Sequence, residues 1–85
     1  MLTREEVFAV VRANILSVRP DIDPAEIGED RSMTDLGCDS LDRMDVVVGS
    51  LDAMGLELNS ETFAGVHDIG GLVDVLLANA NANEP

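Results

Sequence analysis

The chain has 85 residues and a formal net charge of −12, from 17 acidic residues against five basic ones, all arginine. This length suits one small domain, and the acidic excess excludes nucleic acids and anionic membrane surfaces as partners, because both require clustered cations. No apolar run approaches the ~18 residues of a membrane span, and the N-terminus does not resemble a signal peptide. Cys38 is the only cysteine, so no internal disulfide can form, and we expect a cytoplasmic monomer that docks on basic partners.

The first predicted element is a helix over about residues 3–17, which opens with a capping box between Thr3 and Glu6. Its apolar residues recur at helical spacing, at Val7, Val10, Val11, Ile15 and Val18. Pro20 ends this helix, and residues 21–30 form a loop. Such a long loop in a small domain is more often functional, or a bundle crossover, than a passive connection.

A second helix is expected from about Ser40 to Gly55, with Asp39 as its N-cap. The valines at residues 46–48 would suit a strand by themselves, but the acidic and apolar residues around them follow a helical period. A short third helix, one turn that contains Phe63, is expected next, capped by Asn59-Ser60.

The last predicted helix begins after Asp68, which caps it. Its apolar face consists of Ile69, Leu72, Val73, Leu76 and Leu77. Together the elements predict an all-α fold, a four-helix bundle with a long loop between helices 1 and 2 and a short helix 3. Residues 1–78 are expected to form the single domain, and residues 79–85 a flexible C-terminal tail.

The second helix carries more apolar surface than one internal contact needs. At roughly 100° per residue, one apolar arc contains Leu41, Met44, Val48 and Leu51. A neighbouring arc contains Val46, Val47 and Met54, and a narrow remaining sector contains Asp42, Asp45 and Asp52. A helix packed on one side needs an apolar stripe of only ~100°. One arc is therefore available to a partner, unless the helix is central and buried on several sides; a small bundle offers few such sides, which favours docking.

Ser40 lies in the first turn of this helix, where free N–H groups and the helix dipole favour a phosphate. As a nucleophile it lacks a base, because His67 is the only histidine and the chain has no lysine. Ser40 therefore fits a modification acceptor better than a catalyst. From the residues alone, an ordinary N-cap serine remains the alternative.

The segment Leu36-Gly37-Cys38-Asp39-Ser40-Leu41-Asp42 resembles the phosphopantetheine attachment motif of acyl carrier proteins. With the predicted helices, the resemblance extends over about residues 3–78. It implies that a separate phosphopantetheinyl transferase attaches 4′-phosphopantetheine to Ser40 through a phosphodiester, with Asp39 and Leu41 flanking the attachment site. The terminal thiol of this arm would carry acyl groups as thioesters, which makes the protein a carrier and not an enzyme.

The resemblance also implies a surface for partner enzymes, which we call the docking ridge: Leu41, Asp42, Met44, Asp45, Val48 and Asp52. Its acidic members, with Asp39, match positions that meet basic patches on partners, and its apolar members match exposed recognition positions. The implied partners are the transferase and then ketosynthases, acyltransferases or hydroxymethylglutaryl (HMG)-synthase-like enzymes. No metal site is expected, because the Asp21-x-Asp23 pair lacks the rest of a calcium loop.

Two segments, Asp42-Arg-Met-Asp45 and residues 63–76, are similar to discrete carriers of polyketide pathways. The nearest resemblance is to the donor carriers of β-branching cassettes, which present an acetyl unit to an HMG-synthase-like enzyme. Arg43 departs from the fatty-acid carriers, where a small polar residue is more usual, and Ser50 replaces a large apolar residue. The alternatives are a fatty-acid-synthesis carrier, or a small acidic interaction or inhibitor protein in which the Ser40 motif is coincidental.

Two further features are open to interpretation. The Gly70-Gly71 pair either permits close approach of another helix or forms a flexible wall of an acyl pocket. Cys38 is expected to be a small, partly buried residue whose neighbour Asp39 raises its pKa.

Overall fold

The structure, a computed structural model, describes residues 2–82. Within this range the regular secondary structure is entirely helical, and there is no strand. Its three α-helices are α1 (Arg4–Val18), α2 (Ser40–Met54) and α3 (Ile69–Ala82), and two short 3-10 helices occupy Pro24–Glu26 and Ser60–Phe63. Helix α1 packs against both α2 and α3. None of these helices combines the length and apolar character needed to cross a membrane.

Helix α1 begins with the capping box that the sequence predicts. The Thr3 hydroxyl accepts a hydrogen bond from the Glu6 N–H at 3.2 Å, and the Glu6 carboxylate accepts one from the Thr3 N–H at 3.1 Å. These bonds satisfy two donors that a helix end would otherwise leave to water. One stripe of the helix, formed by Val7, Val11 and Ile15, is completely buried and forms the centre of the core.

The aliphatic core is continued by residues from the loop and from the other two helices, as expected for a chain with only two aromatic residues, both Phe. Its remaining buried apolar members are Ile22, Ile27, Met33, Leu36, Cys38, Val46, Leu56, Ile69, Leu72, Val73 and Leu76. The long loop therefore contributes side chains to the hydrophobic core and does not merely run across the surface. This packing fixes the point at which α2 begins.

The prediction of a four-helix bundle is corrected to three α-helices, because the expected third helix is only the 3-10 helix Ser60–Phe63. The Asn59 side chain caps it by accepting from the Thr62 N–H at 3.3 Å. The bonds that follow span three residues, from the Ala64 N–H to the Glu61 carbonyl and from the Val66 N–H to the Phe63 carbonyl. Such a short segment cannot offset the cost of nucleating an α-helix, so the tighter turn forms instead.

Helix α3 continues to Ala82, which is beyond the start of the tail expected over residues 79–85. The Asn81 side chain accepts a hydrogen bond from the Leu2 N–H at 3.2 Å, so this end of α3 is tied to the start of the chain. The Asn79 side chain donates to the Val75 carbonyl at 2.8 Å. Residues 83–85 lie outside the described part of the protein.

The long loop is fastened to the start of α3 by two backbone hydrogen bonds. The Ile69 N–H donates to the Arg31 carbonyl at 2.9 Å, and the Gly70 N–H donates to the Glu29 carbonyl at 2.8 Å. Arg4 reinforces this junction through ion pairs with Glu29 of the loop and Asp74 of α3.

Gly70 is what permits this close approach. A Cβ atom at residue 70 would lie 2.9 Å from the Glu29 carbonyl oxygen, closer than real Cβ atoms come. The first expectation for the Gly70-Gly71 pair is therefore right about close approach, but the neighbour is the loop and not another helix.

Candidate functional site

Ser40 is the first residue of α2 and is exposed to solvent. The chain reaches it through a turn at Gly37, whose φ of 91° lies in the left-handed region that favours glycine. Asp39 then caps α2 by accepting from the Asp42 N–H at 2.9 Å, while the Asp42 carboxylate accepts from the Asp39 N–H at 3.2 Å. The expected N-cap is thus confirmed, and a second capping box holds Ser40 at the surface.

The Ser40 hydroxyl has a cation beside it rather than a base. The Arg43 guanidinium, one helical turn further along α2, donates to the Ser40 Oγ at 3.3 Å. A guanidinium stays protonated at physiological pH, so it cannot remove the serine proton. The arrangement suits a serine that another protein modifies, and it provides a positive charge where a phosphate would be attached.

The apolar members of the docking ridge are all exposed. Leu41 is 72% exposed, Met44 63% and Val48 57%, and among residues 2–82 these are the large hydrophobic side chains that face solvent. Leu51, which belongs to the same arc in the sequence, is instead half-buried. One apolar arc of α2 is thus largely surplus to the core, and the other contains the fully buried Val46.

The carboxylates of the docking ridge do not form one exposed row. Asp45 and Asp52 are exposed, but the Asp42 side chain is only 19% exposed. Its carboxylate takes part in the capping box and pairs with Arg19, the residue after α1, whose guanidinium lies 3.4 Å from it. Asp42 therefore serves the helix start as well as the surface, whereas Asp45 and Asp52 are free to face a partner.

A cavity of about 380 Å³ lies between α2, the second 3-10 helix and α3. Its walls are apolar, with Val47 and Leu51 on one side and Phe63, Val66 and Leu72 on the other. Ser40 and Arg43 are the polar side chains in its lining. Both are exposed, as are Met44 and Val48 of the docking ridge, which also line the cavity, so the cavity opens to solvent along the side of α2 that carries Ser40.

Two buried polar groups lie near this region without taking part in it. Burial is the main cause that raises the pKa of the Cys38 thiol, and the Asp42 carboxylate adds to the increase. Cys38 is thus more deeply buried than expected, and Asp39, the expected cause of its raised pKa, contributes less than burial and Asp42. Ser50 is fully buried on α2 and does not line the cavity, and its hydroxyl has no hydrogen-bond partner among residues 2–82.

A family model described as the phosphopantetheine attachment site matches residues 13–76, which include the whole of α2 and its flanking segments. This chain belongs to the acyl carrier protein family. Members of the family carry acyl groups on 4′-phosphopantetheine and are not themselves enzymes, as the sequence predicts.

The similar carrier proteins include one named for polyketide biosynthesis and others named only as acyl carrier proteins. The polyketide biosynthesis acyl-carrier-protein AcpK of Bacillus subtilis (strain 168) is 29% identical over 75 residues, covering 88% of this chain and 92% of AcpK. The acyl carrier protein of Thermotoga maritima is 29% identical over 77 residues, covering 89% of this chain and 94% of its own. Acyl carrier protein 2, chloroplastic, of Hordeum vulgare is 36% identical over 78 residues, covering 88% of this chain and 57% of the barley protein.

A chain in the crystal structure of the curacin biosynthetic pathway HMG synthase in complex with acetyl donor-ACP has the same fold. It matches with a TM-score of 0.83 and 22% identity, over 91% of this carrier protein and 99% of the matched chain. The agreement extends the family assignment to the three-dimensional fold.

The surroundings of Ser40 fit a phosphopantetheine group. The hydroxyl is accessible, a guanidinium stands beside it, and an apolar cavity opens next to it. The spacing of Arg43 from Ser40 on a helix could have predicted their contact. No local pattern could have revealed the pairing of Arg19 with Asp42 across two elements, or the closing of the cavity by Phe63 and Val66.

Proposed function

We propose that Ser40 is the attachment site of 4′-phosphopantetheine and that the protein carries acyl intermediates between biosynthetic enzymes as a cytoplasmic monomer. The observation that carries this proposal is the exposed Ser40 hydroxyl at the start of a doubly capped helix, with an apolar cavity beside it. Asp39 caps α2 and so fixes the position of Ser40, and Leu41 is the first residue of the exposed apolar surface next to Ser40.

The loading reaction requires a separate enzyme. The Ser40 Oγ forms a bond to phosphorus while a P–O bond in the diphosphate of coenzyme A breaks, and adenosine 3′,5′-bisphosphate leaves. We assign the hydroxyl proton to a base of the phosphopantetheinyl transferase, because the side chain that contacts the Ser40 hydroxyl is a guanidinium, which cannot accept a proton. Once attached, the group supplies a terminal thiol that holds acyl chains as thioesters.

The docking ridge provides the recognition surface for such enzymes. Leu41, Met44 and Val48 offer exposed apolar area for burial, and Asp45 and Asp52 lie beside them for pairing with basic side chains. Apolar anchors give most of the binding energy of an interface, whereas the charges mainly raise the rate of encounter.

Intact-mass measurement after incubation with coenzyme A and a phosphopantetheinyl transferase tests the attachment site. The wild-type protein should gain one phosphopantetheine and Ser40→Ala should gain none. Ser17→Ala is the matched control, since Ser17 is an exposed serine on α1, and it should be loaded like the wild type. Loading that persists in Ser40→Ala would disprove the assignment, and the absence of loading in all three proteins would disprove the carrier function.

Within the family, we propose a role in polyketide biosynthesis, as an acetyl donor for β-branching. The support comes from the Asp42–Asp45 and 63–76 segments and from the similarity to AcpK. The curacin complex identifies the enzyme class to test, since the carrier in that complex is an acetyl donor bound to an HMG synthase. Acetylated holo-protein should transfer its acetyl unit to such an enzyme faster than it serves a fatty-acid ketosynthase, and the reverse preference would favour primary metabolism.

A further inference from the structure

We propose that Arg43 binds the phosphodiester of the prosthetic group and holds the root of the arm over the opening of the cavity. This assignment depends on the proposed attachment at Ser40. The starting observation is the contact between the Arg43 guanidinium and the Ser40 Oγ, at 3.3 Å and one helical turn apart.

Arg43 is available for an anion, unlike two of the other arginines. Arg4 pairs with Glu29 and Asp74, and Arg19 pairs with Asp21 and Asp42. Within the part of the chain that the structure describes, Arg43 has no carboxylate partner, although the protein has an acidic excess of twelve charges. An exposed guanidinium whose recorded side-chain partner is the neutral Ser40 hydroxyl retains its full capacity for an anion.

A phosphodiester on Ser40 would place an anion within reach of this guanidinium. The phosphorus would be bonded to the Oγ that Arg43 already contacts, and its two unesterified oxygens would lie one bond further out. Guanidinium groups bind such oxygen pairs through parallel N–H donors, in shorter and stronger hydrogen bonds than those to a neutral hydroxyl. The dipole of α2 acts in the same direction, because Ser40 is its first residue.

The position of Arg43 around the helix gives this contact a direction. At roughly 100° per residue, Arg43 lies about 60° from Ser40 on one side and Leu41 lies about 100° from it on the other. Arg43 lines the cavity together with Met44 and Val48 of the docking ridge, whereas Leu41 does not. Binding the phosphodiester would therefore hold the root of the arm at the edge of the cavity, on the side of Ser40 that faces away from Leu41.

Comparison of apo and holo forms of the full chain tests this role by a readout other than acyl transfer. The variants are Arg43→Gln and Arg43→Lys, with Arg12→Gln as a matched control that removes an exposed charge from α1. Intact mass is recorded first, so that a failure of loading at Ser40 is recognised as a failure of the proposed function. NMR then follows the Arg43 Nε–Hε signal and the ³¹P signal, and thermal unfolding gives the change in Tm on loading.

In the wild type, loading should shift the Arg43 Nε–Hε signal. The Tm of the holo form minus that of the apo form should be about 3 °C higher in the wild type than in Arg43→Gln at low salt, as expected for one exposed charge pair in a small domain. The difference should shrink in about 1 M NaCl, where the Debye length is about 3 Å. Arg43→Lys should keep part of the effect and Arg12→Gln should behave as wild type.

An Arg43 signal that does not move on loading of the wild type would overturn the assignment, whatever the variants do. Equal changes in Tm on loading for wild type and Arg43→Gln would also overturn it. If Arg43→Gln weakened binding to partner enzymes while leaving the loading-dependent Tm and ³¹P signals unchanged, Arg43 would be a partner contact and not a phosphodiester ligand.

Discussion

Replacing Gly70 by alanine should destabilise the protein, although alanine is the better helix former. The new Cβ would lie 2.9 Å from the Glu29 carbonyl oxygen and 3.3 Å from the Glu29 Cβ. The carbonyl oxygen cannot easily retreat, because it accepts the Gly70 N–H at 2.8 Å and its residue is ion-paired to Arg4. The loop between α1 and α2 would therefore have to move as a unit.

The size of the effect follows from two opposing contributions. Overpacking of a close contact costs about 1–3 kcal/mol, and the gain from glycine to alanine is at most about 1 kcal/mol in a helix interior and smaller at its start. The free energy of unfolding should therefore fall by about 1–2 kcal/mol. For a domain of this size the corresponding fall in Tm is about 5–10 °C.

Thermal and urea unfolding followed by far-UV circular dichroism would measure this change. Gly65→Ala is the control, because a Cβ there would meet nothing within 4 Å. It should change the free energy of unfolding by less than about 0.5 kcal/mol. If Gly70→Ala unfolded at or above the wild-type temperature, the loop would not be held against α3 as tightly as its two backbone hydrogen bonds imply.

Three further predictions concern buried and exposed polar groups. Ser50→Ala should raise the free energy of unfolding by about 1 kcal/mol, because it removes a buried hydroxyl without a hydrogen-bond partner; equal or lower stability in urea unfolding would contradict this. Charge reversal of Asp45 and Asp52 should slow association with a partner enzyme and flatten its salt dependence without altering the fold, as stopped-flow measurements can check. Asp42→Ala should instead cost about 1 kcal/mol of stability, because it removes the carboxylate that accepts from the Asp39 N–H and pairs with Arg19. Because the pKa of Cys38 is raised in the folded protein, the thiol of the unfolded chain loses its proton at a lower pH. The stability that the protonated thiol contributes should therefore be complete below the ordinary thiol pKa of about 8.5 and decline above it. Cys38→Ala should abolish that decline, and the same pH profile of Tm in the wild type and in Cys38→Ala would refute the prediction.

The sequence was sufficient wherever the structural cause is local. The capping boxes at Thr3 and Asp39 depend on residues three positions apart, so their side chains and backbone donors meet as soon as the helix forms. The helical period likewise placed Leu41, Met44 and Val48 on one face of α2, because that grouping depends on the helix alone, while the resemblance to acyl carrier proteins indicated that this face is the exposed one.

Sequence reasoning was less successful where one element depends on another. Asp42 was grouped with Asp45 and Asp52 by its spacing, yet Arg19, which follows the end of α1, draws it into the start of α2. Helix α3 extended to Ala82, with a contact between Asn81 and Leu2 at its end. Both differences arise from contacts between residues far apart in the chain, which a pattern of neighbours does not contain. The short third helix is a 3-10 turn for a local reason, the cost of nucleating an α-helix.

The acidic composition, the helices and the motif around Ser40 follow from the sequence by itself, because charge, helical period and capping are properties of short segments. The tertiary structure decided which carboxylates are free, how closely the loop approaches Gly70, and that an apolar cavity opens beside Ser40 and Arg43. These features depend on how α1, α2 and α3 pack, since packing alone brings side chains from distant segments to within a few ångströms of each other.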